Sequence, residues 1–149
     1  MDLTIKRTHR ISALAQLEKK IFPAADCLVY PEDWEGDEAF WILADGKIVG
    51  MMTFYFDWSA WRTKSPRCLY IESTGVLPEF RRKGIGSFAK EWQIQYARSN
   101  GFTRIETSCR ESNAAIVALN RKFGFLVLGR IPHFYVAPDE SGIIFGREL

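Results

Sequence analysis

The segment between Val76 and Ser87 carries the residue types of an anion-binding helix start. A strand-forming stretch ends at Val76, Pro78 makes a turn, and an amphipathic helix then opens with Arg81, Arg82, Lys83, Gly84 and Gly86. A helix usually begins with a side chain that caps its first amides. An anion can satisfy the same amides, because the helix dipole attracts negative charge and glycine lets the anion approach the backbone. The pattern therefore predicts an anion site, with a basic surface turn as the structural alternative.

Two nucleotide-binding motifs are alternatives for this loop. A P-loop places Lys and then Ser or Thr directly after its last glycine, whereas Lys83 precedes Gly84, so the loop does not match. Residues 84–89 do fit the G-x-G-x-x-A pattern of dinucleotide-binding folds, and Glu106 follows at a spacing suited to a ribose contact. The chain after Glu106 is too short for the second half of such a sheet, which argues against this alternative.

The same residues carry a resemblance to a known family. The pyrophosphate-binding motif of the GNAT N-acetyltransferases, Gln/Arg-x-x-Gly-x-Gly/Ala, resembles the pattern of Val76, Pro78, Arg81, Gly84 and Gly86. A second segment, residues 113–125, is similar to that family's next helix and its Gly-Phe ending. The resemblance implies one GNAT domain over residues 1–149. Its α/β fold would have a mixed, mostly antiparallel sheet flanked by helices, with splayed central parallel strands.

The resemblance also implies acetyl-CoA as the acetyl donor. Its pyrophosphate would lie on the backbone amides of residues 82–87, and its pantetheine arm would pair with the strand edge near Val76 as an added strand does. Asn113 would contact the pantetheine, and a backbone amide of the splayed strand would polarise the thioester carbonyl. The expected cofactor-binding residues are Val76, Leu77, Arg81, Arg82, Lys83, Gly84, Ile85, Gly86, Ser87 and Asn113.

Acetyl transfer to an amine needs a group that takes the ammonium proton, because an alkylamine has a pKa near ~10.4. Glu72 is the candidate general base, since strand alternation puts it on the same face as Val76. A solvated or salt-bridged glutamate is the structural alternative. Tyr70-Ile71-Glu72 resembles the spermidine/spermine N-acetyltransferases, but Ser73 stands where they have aspartate, which weakens the match to a polyamine acceptor.

The family's usual proton donor is missing at the expected position. Many members have a tyrosine after the leucine that matches Leu119, and this chain has Asn120, whose amide donates a hydrogen bond but no proton. Tyr135 of the C-terminal hairpin is the candidate substitute, with a packed tyrosine as the alternative. Cys109 is expected to be a buried structural thiol rather than an acetylated intermediate. Asn120 also keeps open a non-catalytic CoA-binding or regulatory domain on the same fold.

The acceptor amine is the least specified part of the site. Five carboxylates flank Trp34 in the loop Pro31–Glu38, a composition that attracts a cationic amine but also occurs in solvated acidic loops. The segment Ile131–Tyr135 resembles the N-terminal-amine acetyltransferases that act on ribosomal proteins. A polyamine, a small amine and a protein N-terminus all remain open, as does a homodimer. Trp58 and Trp61 either line this site or pack in the core or an interface.

Length and composition limit the remaining classes. A chain of 149 residues fits one domain, and its formal net charge of +2, from 20 basic and 18 acidic residues, gives no support for binding nucleic acid or an anionic membrane. The longest apolar run, Ile48–Phe56, is too short to span a membrane, and no signal peptide is visible. Three cysteines without a Cys-x-x-Cys pair and two distant histidines argue against disulfides and a metal site, so a reducing cytoplasm is expected.

Hydrophobic periodicity predicts the elements that hold this site. Strands are predicted at residues 3–5, 39–44, 47–58, 68–76, 104–109, 125–131 and 143–147, and helices at 11–21, 85–99 and 113–123. The helix between strands 68–76 and 104–109 makes a right-handed crossover, so these two strands are predicted to be parallel.

Apolar spacing also predicts which faces of these elements are buried. The strand 47–58 is apolar on both faces, as in a layered α/β fold, and a loop is expected at 59–66. The helix residues predicted to face inward are Ile85, Phe88, Ala89, Trp92, Tyr96, Ile116, Leu119 and Phe123.

Overall fold

The computed structural model describes residues 1–27 and 38–149 of the chain. The strands of these residues are β1 (Leu3–Arg7), β2 (Glu38–Ala44), β3 (Lys47–Trp58), β4 (Lys64–Val76), β5 (Arg104–Arg110), β6 (Leu126–Tyr135) and β7 (Glu140–Glu148). The α-helices are α1 (Ile11–Ile21), α2 (Ile85–Ser99) and α3 (Ala114–Lys122). The predicted order of strands and helices along the chain is confirmed.

The strands form a mixed sheet in the order β1-β2-β3-β4-β5-β7-β6. The β1–β2, β2–β3, β5–β7 and β6–β7 pairs are antiparallel, and the β4–β5 pair is parallel. The parallel ladder runs from the Cys68–Arg104 pair to the Ile71–Thr107 pair, so it ends one residue before Glu72. The predicted mixed, mostly antiparallel sheet with one parallel crossover is therefore confirmed.

One compact unit comprises Met1–Phe54 and Glu72–Ala89. Its core cluster consists of Leu14, Ile21, Ala39, Trp41 and Met51. Helix α1 contributes to this core because its apolar residues recur at helical spacing, and the helix ends before Pro23. β3 and β4 approach each other closely at Gly50 and Gly75, since a Cβ atom on Gly50 would lie 2.5 Å from the carbonyl oxygen of Gly75. This approach fixes the end of β4, which leads into the predicted anion-binding loop.

The other compact unit comprises Tyr55–Ile71 and Lys90–Leu149. Its core cluster consists of the buried residues Ala60, Tyr70 and Ile144, with Tyr55, Trp58 and Ile131 packed against them. The rings of Tyr55 and Tyr70 stack with their centroids 6.2 Å apart. Trp58 therefore has the packing role that was one of its two predicted alternatives.

The Glu106 carboxylate is buried in this second unit and has a structural role. It accepts hydrogen bonds from the Ser59 hydroxyl at 2.9 Å and the Ala60 amide at 3.0 Å, and it pairs with the Arg104 guanidinium at 2.7 Å. These bonds tie the turn after β3 to β5. A carboxylate committed in this way does not fit the ribose contact of the dinucleotide-binding alternative.

Some strand boundaries differ from the predicted ones. β4 begins at Lys64, so the predicted loop 59–66 is shorter than expected. β6 continues to Tyr135 and β7 begins at Glu140, so both strands extend closer to the turn that joins them than the apolar pattern indicated. The reason is that backbone pairing with a neighbouring strand continues through polar and proline-containing segments, which do not show the alternation from which strands are predicted.

The buried faces also differ from the predicted ones. In β3 the middle is buried on both faces, but Ile48 and Phe56 are 40% and 43% exposed. In α3 the fully buried residue is Asn120, and the apolar residues predicted to face inward are only partly buried. The buried residues of α2 are Ile85, Ala89, Lys90, Gln93, Ile94 and Ala97. Trp92 and Tyr96 are half-buried, because their rings shield each other by stacking at 4.9 Å.

Candidate active site

The loop between β4 and α2 contains left-handed residues, a conformation that also occurs in anion-binding turns. After the short 3-10 helix Pro78–Phe80, the left-handed conformation occurs at Arg82, with φ 62°, and at Gly84, with φ 80°. Left-handed residues within a turn aim successive amides into one concavity. A non-glycine residue in this conformation is strained and is common at binding sites. Helix α2 then begins with no acidic side chain in its first turn, so its amide dipole faces the loop without a carboxylate.

The three cations of the loop have different surroundings. Arg81 donates from Nε to the carbonyl oxygen of Val76 at 3.2 Å and from Nη2 to that of Ile21 at 3.0 Å, so it fastens the loop to β4 and α1. Arg82 is exposed, and the Lys83 ammonium lies 5.4 Å from the centroid of the Phe80 ring. Arg82 and Lys83 are therefore the side chains that can meet an anion, and Arg81 holds their backbone in place.

The predicted base lies on β4 just before this loop. Glu72 is half-buried, and it directly follows the last residue of the parallel β4–β5 ladder. The end of the strand is anchored, because the amide of Leu77 donates to the carbonyl oxygen of Val49 at 2.8 Å. That bond commits the Leu77 amide, so this amide does not polarise a thioester.

Asn113 caps the N-terminus of α3. Its side-chain Oδ1 accepts a hydrogen bond from the main-chain amide of Ile116 at 3.2 Å, and its main-chain amide donates to the carbonyl oxygen of Arg110 at 3.0 Å. The cap uses Oδ1, so the Nδ2 group is the part of the side chain that can donate to a ligand.

Asn120 is fully buried on α3, and its side chain is unsatisfied. Its exposure is 0%, and neither Oδ1 nor Nδ2 has a hydrogen-bond partner within the described part of the chain. Its main-chain carbonyl accepts a hydrogen bond from the main-chain amide of Phe125 at 3.0 Å, so the unpaired part of the residue is the side-chain amide group. A buried amide without a partner costs about 1–3 kcal/mol. The residue is therefore destabilising unless another atom reaches it.

Tyr135 stands at the end of β6, against the end of β5. The Arg110 guanidinium lies over its ring with Cζ 4.7 Å from the centroid. The same guanidinium donates to the carbonyl oxygens of Val136 at 3.1 Å and Pro138 at 2.9 Å and pairs with Glu140 at 3.1 Å. One side chain of β5 thus contacts four residues of the β6–β7 turn. No sequence pattern had singled it out.

A cavity of about 610 Å³ lies in the second unit, beside this turn. Within it the Nδ1 atom of His133 is 2.7 Å from the Asp139 carboxylate, and Arg130 pairs with Glu111. Carboxylates outnumber cations along its walls, which favours a cationic ligand over an anionic one. The lining residues are Glu111, Ser112, Arg130, Pro132, His133, Asp139, Glu140 and Ser141.

The thiol of Cys109 has the expected structural role. It is buried in β5, and burial raises its pKa to about 11, so it is protonated at neutral pH and is a weak nucleophile. A buried amine shares this region, since the Lys90 ammonium of α2 lies 4.7 Å from the centroid of the Phe125 ring. Burial lowers the pKa of Lys90 to about 8.

The proposed acceptor elements have mixed outcomes. Trp34 and the rest of segment 31–37 lie outside the described residues. Glu38, the last carboxylate of that predicted loop, belongs to β2 and pairs with Arg7. Trp61 is 45% exposed and packs over Gly129, so it forms part of the surface of the second unit.

The predicted site residues are distributed over both units. The first unit brings together Glu72, Val76, Leu77 and the loop residues 81–87. The second holds Asn113, Asn120 and Tyr135.

Comparison with known proteins gives consistent matches. The model of the family described as "Acetyltransferase (GNAT) family" matches residues 10–125. The Drosophila melanogaster protein named "Probable N-acetyltransferase san" is 28% identical over 141 residues, which cover 91% of this chain and 74% of that protein.

Solved structures share the fold over nearly the whole chain. The ribosomal-protein-S18-alanine N-acetyltransferase of Escherichia coli superposes with a TM-score of 0.79 at 19% identity, covering 99% of this chain and 94% of that one. A Bacillus subtilis acetyltransferase in complex with CoA has a TM-score of 0.79 at 18% identity and covers 99% of both chains.

Neither a membrane-spanning helix nor a metal-binding cluster is found among the described residues. Among the helices of residues 1–27 and 38–149, none combines the length and apolarity of a membrane span. In the same residues, His, Cys, Asp and Glu side chains form no group of three or more that could hold a metal ion.

Proposed function

Because the chain belongs to the acetyltransferase (GNAT) family, it is an acetyl-CoA-dependent acetyltransferase, and we propose that it transfers the acetyl group to a primary amine by direct attack on the thioester. The observation that carries this proposal is the loop of left-handed Arg82 and Gly84 that leads into α2. In the proposal, the amides of residues 82–87 bind the pyrophosphate, and the side chains of Arg82 and Lys83 add positive charge.

The pantetheine arm is assigned to β4 and the start of α3. It pairs with the backbone of β4 at Val76, as an added strand does, and the Nδ2 group of Asn113 donates a hydrogen bond to it. The amide that polarises the thioester carbonyl belongs to a β4 residue before Leu77, because the Leu77 amide is bonded to Val49.

Proton transfers in this proposal belong to Glu72 and Tyr135. The Glu72 carboxylate takes a proton from the ammonium group, directly or through water, and the neutral nitrogen attacks the carbonyl carbon. The carbon–sulfur bond then breaks and the electron pair leaves with sulfur, while the nitrogen releases its second proton to water. The Tyr135 hydroxyl protonates the thiolate and regains its proton from solvent. Asn120, whose side-chain amide is fully buried, is not assigned a contact with the leaving sulfur. A thiol with a pKa near ~8.5 is a good leaving group, so proton donation by Tyr135 alone is sufficient help for its departure.

A protein or peptide N-terminus is the acceptor class that we favour. The segment Ile131–Tyr135 resembles N-terminal-amine acetyltransferases, and the fold is shared with an enzyme that acts on the alanine of ribosomal protein S18. A small amine or polyamine is the second candidate, because carboxylates line the cavity beside the β6–β7 turn. The three cysteines are free thiols, in keeping with the proposed cytoplasmic location.

Thiol release from acetyl-CoA tests the acceptor class. The panel contains peptides with a free N-terminus, the same peptides with a blocked N-terminus, diamines and polyamines, and small primary amines. We expect turnover with free N-termini and none with the blocked peptides. Turnover with polyamines alone would reject the favoured acceptor, and the lack of turnover with every amine would reject amine acetylation.

The substitution Glu72→Gln tests the base. Glutamine keeps the shape of the side chain and removes its basicity, so kcat should fall about 10²-fold or more while acetyl-CoA affinity stays within threefold. Glu91→Gln on the exposed face of α2 is the matched control and should leave kcat unchanged. A loss confined to KM would instead assign Glu72 to binding of a cationic acceptor.

A further inference from the structure

Three residues clamp the β6–β7 turn to the end of β5. We call Arg110, Ser112 and Glu140 the turn clamp. The Glu140 carboxylate accepts from the Ser112 amide at 2.6 Å through one oxygen and from Arg110 at 3.1 Å through the other. Arg110 also donates to the carbonyl oxygens of Val136 and Pro138. The carboxylate thus joins the segment after β5 to the turn, and the guanidinium holds the main chain on both sides of the turn.

The clamp is more than an exposed ion pair. The side chains of Arg110 and Glu140 are only 14% and 17% exposed, and each of them makes more than one hydrogen bond across the turn. Hydrogen bonds from Ser112, together with the Arg110 guanidinium, lower the pKa of Glu140 below its ordinary value, which keeps this carboxylate ionised. A pair with several bonds and little exposure fixes geometry better than a surface ion pair does.

The clamp touches both sets of residues that the proposed function needs in the second unit. The carbonyl oxygen of Arg110 accepts from the amide of Asn113, the proposed pantetheine contact. The guanidinium of the same residue packs over the ring of Tyr135, the proposed proton donor. A displacement of Arg110 would therefore move Tyr135 relative to Asn113.

We propose that Arg110 and Glu140 are positioning residues for acetyl transfer, which act through Tyr135. This inference rests on the proposed function, in which Tyr135 protonates the leaving sulfur. The clamp holds the phenol at one place against the end of β5. Loss of one of its charges lets the turn move and removes part of the contribution of Tyr135 to kcat, because proton transfer depends on hydrogen-bond distance.

A double-mutant cycle on kcat tests the inference. Glu140→Gln is made in the wild-type chain and in Tyr135→Phe, which keeps the ring under Arg110 and removes the hydroxyl. If the clamp acts through Tyr135, Glu140→Gln lowers kcat at least tenfold in the wild-type chain and less than twofold in the Tyr135→Phe background. Acetyl-CoA affinity should stay within threefold in all four proteins.

Arg110→Lys is the second variant, used also if Glu140→Gln fails to fold. Lysine keeps the charge but, as a point charge, does not reproduce the forked contacts, and we expect the same pattern. Arg147→Lys is the matched control, because Arg147 donates to the carbonyl oxygen of Phe123 in the same unit and lies outside the clamp. It should leave kcat unchanged.

Two results would overturn the inference. An equal loss of kcat in both backgrounds would show that the clamp does not act through Tyr135, and an unchanged kcat in Glu140→Gln and Arg110→Lys would show that it positions nothing the reaction needs. Failure of the proposed function is a separate outcome, since it appears as absence of turnover in the wild-type chain. In that case, amide hydrogen exchange in residues 136–140 still decides whether Arg110→Lys loosens the turn, and unchanged exchange would overturn the clamp itself.

Discussion

The anion-binding loop can be tested at Gly84 with an internal control at Gly46. Both glycines have the left-handed conformation, with φ 80° and 81°, and an added Cβ atom would meet nothing within 4 Å at either position. An aspartate at either site therefore has the same backbone strain and the same room. The variants Gly84→Asp and Gly46→Asp should lose similar amounts of stability, on the order of 1 kcal/mol. They differ in one respect, which is that only Gly84 lies in the proposed pyrophosphate loop.

The size of the expected effect follows from Coulomb's law. A carboxylate about 6 Å from a unit negative charge is repelled by ~0.7 kcal/mol at the dielectric constant of water and by ~2.8 kcal/mol at an effective value of 20. A pyrophosphate carries about two such charges, so the repulsion at low salt is at least ~1.4 kcal/mol, which is a tenfold loss of affinity. We expect Gly84→Asp to raise the Kd for acetyl-CoA at least tenfold and Gly46→Asp to leave it within twofold. The loss should shrink with added salt, because the carboxylate is exposed.

Isothermal titration calorimetry with acetyl-CoA measures both constants. A third variant, Gly84→Asn, separates charge from shape, since asparagine tolerates the left-handed conformation and carries no charge. It should retain most of the affinity. The reasoning is refuted if Gly84→Asp binds acetyl-CoA as the wild-type chain does, or if the two aspartate variants weaken binding equally.

Two buried polar residues give further predictions. Asn120→Leu should raise the free energy of unfolding by about 1–3 kcal/mol in denaturant titration, because it removes an unpaired buried amide. A lower kcat in the same variant would assign the amide to the reaction. A lower free energy of unfolding would show that the amide has a hydrogen-bond partner in the wild-type chain. Lys90→Met should stabilise the chain below pH 8 by up to roughly 3 kcal/mol. In the wild-type chain, stability should rise from about pH 8 towards pH 10.5, since the unfolded state holds the Lys90 proton longer, and the variant should lose this rise. Identical pH profiles of the two proteins would contradict the burial of the charge.

The order of the elements could be predicted because local patterns determine it. The apolar spacing of α1 and the Asp45-Gly46 turn each leave a signal within a few residues, and the strand-helix-strand order from β4 to β5 indicates the parallel pair. Burial of the helix faces could not be predicted in the same way. Hydropathy selected Trp92 and Tyr96 of α2, whereas the buried positions include Lys90 and Gln93. A ring that stacks on a neighbouring ring stays half-exposed without a large cost. Hydropathy gives no sign that the whole Lys90 side chain is buried, with its ammonium over the Phe125 ring.

The loop motif could be predicted from neighbouring residues, whereas the turn clamp could not. Cations, glycines and the helix start are adjacent in the sequence, so the loop could be predicted from the sequence as a candidate anion site. The clamp joins Arg110 to residues 136–140, and its members contact one another only because β7 pairs with β5 and returns Glu140 to the end of that strand. The left-handed conformation of Arg82 could not be predicted either, since nothing in its residue type requires it. Candidate groups that are neighbours along the chain can therefore be recognised in the local sequence, whereas contacts between distant residues become visible only once the sheet register is known.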